Sequence, residues 1–253
     1  GLVTLAVPEG VASFRGFVVD VEELPAGRWP SAFAFQGVRQ EAVRDGVQFV
    51  HQLEYLGERV SLTIALRAEG PALRVSASCP KRLSQFSVGP WDRHAPRVYY
   101  GHGYCIVEPK AFRAGFGGHN LATSHVGCDF EGGLSVLQAV DNPPNFFDVN
   151  PDSRTYALST DQDCTLTLVP GKSALACAVA YRPLFDKKPA GGVKRLAGRM
   201  CFDIWGGKYA DIADRMQTMI RYGLTDSFLT VHNWQRWGYD YRLPDIWPPN
   251  PAF

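Results

Sequence analysis

The sequence predicts a mainly β protein, a large antiparallel sandwich followed by one helix and a short strand with an extended tail. Three observations lead there. From Gly1 to about Pro183, short apolar runs are separated by Gly, Pro, Asn and Asp, the punctuation of strands and turns. Within one run Val60, Leu62, Ile64 and Leu66 alternate with Ser61, Thr63, Ala65 and Arg67, which turns one face of a strand inward. After FDKKPAGGVKR (185–195), a linker by composition, a period of three to four residues appears.

The elements follow in order. VQFVHQLEYLG (47–57) and ERVSLTIALRAEG (58–70) read as two strands around a turn at Gly57, and PALRVSASCP (71–80) as a third. RVYYGHGYCIV (97–107), LSVLQAV (134–140), RTYALST (154–160), DCTLTLVP (163–170) and SALACAVAYRPL (173–184) are further strand candidates. Roughly ten or more strands over about 180 residues suit two large sheets better than a small barrel. The boundary is set at 195/196, giving a β domain over 1–195 and a second segment over 196–253. That segment opens on a strand, RMCFDIW (199–205). In GGKYADIADRMQTMIRYG (206–223), Tyr209, Ile212, Ala213, Met216, Met219 and Ile220 recur at helical spacing, and Gly223 sits at the left-handed stop. DSFLTVHNW (226–234) then reads as a buried strand.

Composition removes several functions. With 26 basic and 25 acidic residues, a net charge of +1 and no Lys/Arg cluster, nothing tracks a phosphate backbone, so no nucleic-acid partner is expected. No run approaches the roughly 20 apolar residues of a membrane helix, and no membrane partner is expected. The six cysteines are scattered without a C-x-x-C pair, which argues against structural zinc. Those around Cys177 and Cys201 read as small buried thiols in strands, with disulfide pairing left open. GLVTLAVPEG lacks a signal peptide's basic start and long apolar run. Beginning at Gly1 favours a trimmed chain and a secreted or periplasmic location; a cytoplasmic one stays open.

Aromatic residues make up 12% of the chain and gather at its end, where Trp234, Trp237 and Trp247 accompany His232, Arg236, Tyr239, Asp240, Tyr241 and Asp245. An indole face covers the C–H patch of a pyranose, carboxylates accept from vicinal hydroxyls, and Arg or His donates to others. The same rings could instead pack the tail. A second constellation is His94, His102, His119 and His125, with Asp129 and Glu131 nearby. A third, DNPPNFFDVNPDS (141–153), carries the oxygen ligands calcium prefers but lacks EF-hand spacing, and so also reads as a solvated turn. No other metal or cofactor is expected.

The segment FDIWGGKYADIADRMQTMIRYGLTDSFLTVHNWQRWGYDYRLPDIWPP resembles the junction in glycoside hydrolases of families 101 and 129 and their relatives. Those enzymes join a galactose-mutarotase-like β supersandwich to a (β/α)8 barrel that cleaves α-linked N-acetylgalactosamine or related glycosides. The resemblance is sharpest from Phe202 to Pro249, with YYGHGYCIVEP and ATSHVGCDFEGGLSVLQA also family-like. It implies a carbohydrate partner and a first barrel strand whose end lines a sugar subsite, with Trp234, Trp237 and Asp240 at the matching positions and His232 beside them. About 30 residues follow Gly223, against the roughly 200 or more of a barrel. The nucleophile and acid/base carboxylates of such families lie on later strands, so neither is assigned here, and the chain alone is expected to be inactive. Two alternatives stand beside this. One is a free-standing aldose epimerase, in which His102 or His125 would pair as acid with Glu131 or Asp129. The other is a non-catalytic carbohydrate-binding module.

Overall fold

The computed structural model describes residues 2–21, 33–55, 57–101, 103–117, 121–161, 164–184, 188, 190–235 and 249–251. The chain forms two compact units, Gly1–Asp186 and Lys187–Phe253.

The first unit is built from strands β1 (Val3–Val7), β2 (Gly10–Phe14), β3 (Phe17–Val21), β4 (Phe33–Val43), β5 (Gly46–Tyr55), β6 (Glu58–Glu69), β7 (Ala72–Ser78) and β8 (Leu83–Val88). It continues through β9 (Arg97–Tyr100), β10 (Tyr104–Val107), β11 (Phe112–Gly115), β12 (His125–Asp129), β13 (Ser135–Val140), β14 (Phe146–Asn150), β15 (Thr155–Ser159) and β16 (Thr165–Gly171). Nine of these form one antiparallel sheet in the order β10-β9-β12-β13-β16-β7-β6-β5-β4. Opposite it, β11-β14-β15 and β3-β8 are joined where Phe86 and Thr160 exchange N–H···O bonds of 2.7 and 3.1 Å. The β1–β2 hairpin is tied on by Arg15 N–H to Pro90 O and Asp92 N–H to Ser13 O, both 2.8 Å.

The predicted sandwich is therefore present. Val60, Leu62, Ile64 and Leu66 of β6 are all buried, as the alternation requires, and the latter three join Phe86, Phe147 and Leu158 of the opposing layer in a single core. A polar residue also spans the two layers. Gln138 of β13 is fully buried; its Nε2 donates to Tyr156 O at 2.6 Å and its Oε1 accepts from Leu158 N at 3.1 Å. The side-chain amide thereby pairs with the β15 backbone as a strand would, and neither layer can slide without leaving buried polar groups unmet.

One strand assignment is corrected. SALACAVAYRPL forms helix α1 (Ala174–Tyr181), not a strand. Its residues are apolar on every side, so periodicity cannot separate helix from strand. Alanine propensity and a cap decide, because Ser173 Oγ accepts from Ala176 N at 3.1 Å. Cys177 faces Ala72, Leu137, Ala139 and Val169 on the outer side of the large sheet, with Ala178 and Tyr181 packed alongside. All six residues of β13 are buried as a result, since that strand is covered on both faces. RVYYGHGYCIV folds as the β9–β10 hairpin rather than as a single run, turning at Gly101 and Gly103, whose φ values are +62° and +95°.

The second unit contains α2 (Val193–Leu196), β17 (Met200–Ile204), α3 (Tyr209–Arg221) and β18 (Ser227–Val231). Helix α3 ends as read, with Gly223 at φ +89°. The strand expected to be buried, β18, is only half-buried, with Leu229 39% exposed. A parallel sheet is buried where helices cover both faces, and among the described residues the long helix of this unit is α3 alone. Cys201, read as a buried thiol, is exposed on β17, while Cys177 is buried in α1; no disulfide joins any of the six cysteines.

Candidate functional site

Strands β17 and β18 pair in parallel from Met200↔Ser227 to Ile204↔Val231, with α3 as the crossover. Both strands therefore end at the same edge, the position where βα units collect functional side chains. There the ladder is prolonged by His232 N–H to Ile204 O at 2.8 Å, which brings residues far apart in sequence side by side.

Asp203, Trp205 and His232 form a closed cluster at this edge. His232 Nε2 donates to Asp203 Oδ1 at 2.5 Å, and Trp205 Nε1 donates to Asp203 Oδ2 at 2.9 Å. The indole and imidazole stack with centroids 4.0 Å apart and 6° between planes. Each carboxylate oxygen keeps a second lone pair, and the Asp203 side chain is 52% exposed, so it can still accept from a ligand hydroxyl. The Trp205 ring, 58% exposed, offers an apolar surface beside it. Asn233 takes a left-handed φ of +60°, and its Nδ2 reaches Trp205 O at 3.4 Å. Asn tolerates that conformation better than most residues. Trp234 O then accepts from Asn250 N at 2.7 Å, and Gln235 bridges to Pro249.

The Trp205 N–H, and after it His232, hold the Asp203 carboxyl below the ordinary aspartate range despite some opposing desolvation. A group whose folded pKa is depressed supports the cluster above its unfolded pKa and loses that support as pH falls through the folded value. Trp205→Phe removes the leading donor and is expected to raise the Asp203 pKa, as followed by carbon NMR of the carboxyl. An unchanged titration would detach Trp205 from the carboxylate.

Of the residues named from sequence, His232 and Trp234 lie at this edge, whereas Trp237 and Asp240 lie outside the described residues, as do His102 and His119. Asp203 and Trp205 were missed. Their signal was the Asp and Trp alternating at the end of RMCFDIW, a segment read as a strand but not as part of the sugar subsite. His125 and Glu131 are not brought together. His125 opens β12 and Glu131 lies beyond its last residue, Asp129, so about 13 Å of strand already separates His125 from Asp129. His125 lies beside α1 in a shallow recess lined by Leu175, Val179 and Tyr181, and desolvation there lowers its pKa.

Asp129 is occupied structurally. Its Oδ1 accepts from Ser135 Oγ at 2.6 Å and Ala174 N at 3.2 Å, and its Oδ2 accepts from Tyr99 Oη at 2.8 Å. The acidic stretch 141–153 is similarly engaged. Asp141 accepts from Thr165 N, Asn145 donates to Ser84 O, Asp148 pairs with Arg113, and Asn150 accepts from Ser153 N. Among the described residues no group of three His, Cys, Asp or Glu side chains could hold a metal ion.

A β sandwich followed by a parallel βαβ unit defines the class of architecture, and solved structures share it. No protein-family model and no curated protein sequence matches the chain. The α-N-acetylgalactosaminidase NagBb from Bifidobacterium bifidum, in its GalNAc complex, aligns with a TM-score of 0.64 at 12% identity, covering 98% of this chain and 51% of that one. Its Gal-NHAc-DNJ complex gives 0.65 and 13% over the same shares. The α-galactosidase TtGalA from Thermus thermophilus, with stachyose, aligns at 0.48 and 13%, covering 86% and 47%. At such identities the likeness to NagBb is one of fold, and this chain spans about half the length of the NagBb chain.

Proposed function

We propose that the chain is the sandwich and opening βαβ unit of a glycoside hydrolase of the family 101/129 kind, acting on α-linked N-acetylgalactosamine or a related α-glycoside. The observation that carries this is the Asp203–Trp205–His232 cluster at the carboxyl ends of two parallel strands, within a chain that aligns over 98% of its length with NagBb. Asp203 would accept from sugar hydroxyls, His232 would orient it, and Trp205 and Trp234 would cover the apolar face of the ring. Trp237 and Asp240, outside the described residues, are the further positions that the resemblance of the tail would give to a sugar subsite. A pair of catalytic carboxylates is not assigned within these 253 residues.

The expected behaviour is binding without turnover. Saturation-transfer NMR on this chain should show transfer to N-acetylgalactosamine that disappears in Trp205→Ala, while nitrophenyl α-N-acetylgalactosaminide remains uncleaved. Absence of transfer to both N-acetylgalactosamine and galactose, or hydrolysis by this chain alone, would overturn the proposal.

A further inference from the structure

The large sheet of the first unit carries a second feature, on the face opposite its core. Arg67 of β6 and Arg74 of β7 stand directly opposite each other across the antiparallel pair. Like charges so placed repel. Glu69 answers one of them, taking bonds from Arg74 Nε at 2.8 Å and Nη2 at 3.4 Å, while Arg74 Nη1 donates to Thr167 Oγ1 at 3.0 Å. Arg67 has no carboxylate within 4.0 Å among the described residues. Two guanidinium groups and the Glu69 carboxylate line this place, and a second carboxylate, Asp141, stands at its Thr165 end, where its Oδ1 accepts from the Thr165 backbone N at 3.0 Å.

The surroundings form a recess rather than an open surface. Two residues along the same face, Ala65, Ser76 and Thr165 lie in register across three strands. With Arg67, Glu69 and Arg74 they line a cavity of about 240 Å³. Ala65 is a small floor, and the hydroxyls of Ser76 and Thr165 have no hydrogen-bond partner among the described residues. On the other side of Arg67 its partner is Gly46, where an added Cβ would meet Leu66 O at 1.9 Å. No side chain can stand there to fill the space or to screen the charge.

We propose that this recess binds a small oxyanion, a carboxylate or sulfate group such as an acidic sugar carries. Arg67 is its principal cation, Arg74 its second, and Ser76 and Thr165 its hydroxyl donors. Guanidinium groups suit this task because their planar N–H pairs match the oxygens of such anions. The site does not depend on the sugar subsite of the second unit.

The test is an NMR titration of the ¹⁵N-labelled chain with sodium sulfate, sodium glucuronate and neutral N-acetylgalactosamine, at constant ionic strength held with sodium chloride. The arginine Nε–H resonances of Arg67 and Arg74 should shift saturably with sulfate or glucuronate and stay still with N-acetylgalactosamine. The tighter of the two anions identifies the sulfate or the carboxylate source. Arg67→Ala should weaken binding about tenfold or more, the scale of a lost charge-assisted bond. Glu69→Gln, which removes the competing carboxylate, should tighten it. Shifts that chloride reproduces, or an affinity unchanged in Arg67→Ala, would overturn the proposal.

Discussion

Gln138→Leu is expected to destabilise the chain by about 3 kcal/mol, since it strands a buried carbonyl and a buried N–H, each costing roughly 1–3 kcal/mol. The groups left behind are Tyr156 O and Leu158 N on β15. Tyr156 O also receives the Trp91 indole N–H at 3.3 Å, so it keeps a weaker partner, whereas Leu158 N keeps none among the described residues. Leucine nearly fills the volume of the amide, and the loss therefore reports polar satisfaction rather than a cavity. Urea unfolding monitored by tryptophan fluorescence would check it. A midpoint within error of the wild type would mean that the amide is dispensable as a tie between layers.

Asp129→Ala is the second large effect, again about 3 kcal/mol, because one carboxylate serves Tyr99, Ser135 and the first N–H of α1 together. The bond to Asp129, with desolvation behind it, pushes the Tyr99 pKa up to about 12 from 10.0. A folded pKa above the unfolded one means that this contribution is whole below pH 10 and vanishes as pH climbs towards about 12. In Asp129→Asn the Tyr99 phenol should titrate closer to its ordinary value by ultraviolet absorbance. Loss of α1 packing should also make the Cys177 thiol accessible to thiol reagents in Asp129→Ala. Full protection of Cys177 there would show that the sheet holds the helix without the carboxylate.

These residues also show where sequence is legible. The alternation along β6 could be read because one of its faces meets a core and the other does not. Helix α3 could be read because one stripe of it is apolar, as the burial of Ile212 reflects, and because Gly223 stops it. The same logic fails for α1, which lacks a polar side. β13 lacks an exposed side too, yet its short apolar run bounded by turn residues still reads as a strand. At the site, His232 was visible as a polar residue closing an apolar run. Asp203 and Trp205 were hidden by a parallel pairing that no local pattern encodes. The opposite error attends His125 and Glu131, since nearness along an extended strand means separation in space. The Asp and Asn residues of 141–153 suggested a cation through their type alone, yet four of them engage neighbouring strands and turns.

The crossover between β17 and β18 also sets an order in time. Parallel strands cannot meet through a tight turn, so the chain must first close the long loop that contains α3 before the pairing returns any free energy. Asp203 and His232 sit at the far end of that ladder and have no common neighbourhood until it is complete. A chain folded only as far as α3 holds the carboxylate and the indole but not the imidazole. The cluster is thus conditional on the parallel pairing: its three side chains meet only where β17 and β18 have come together.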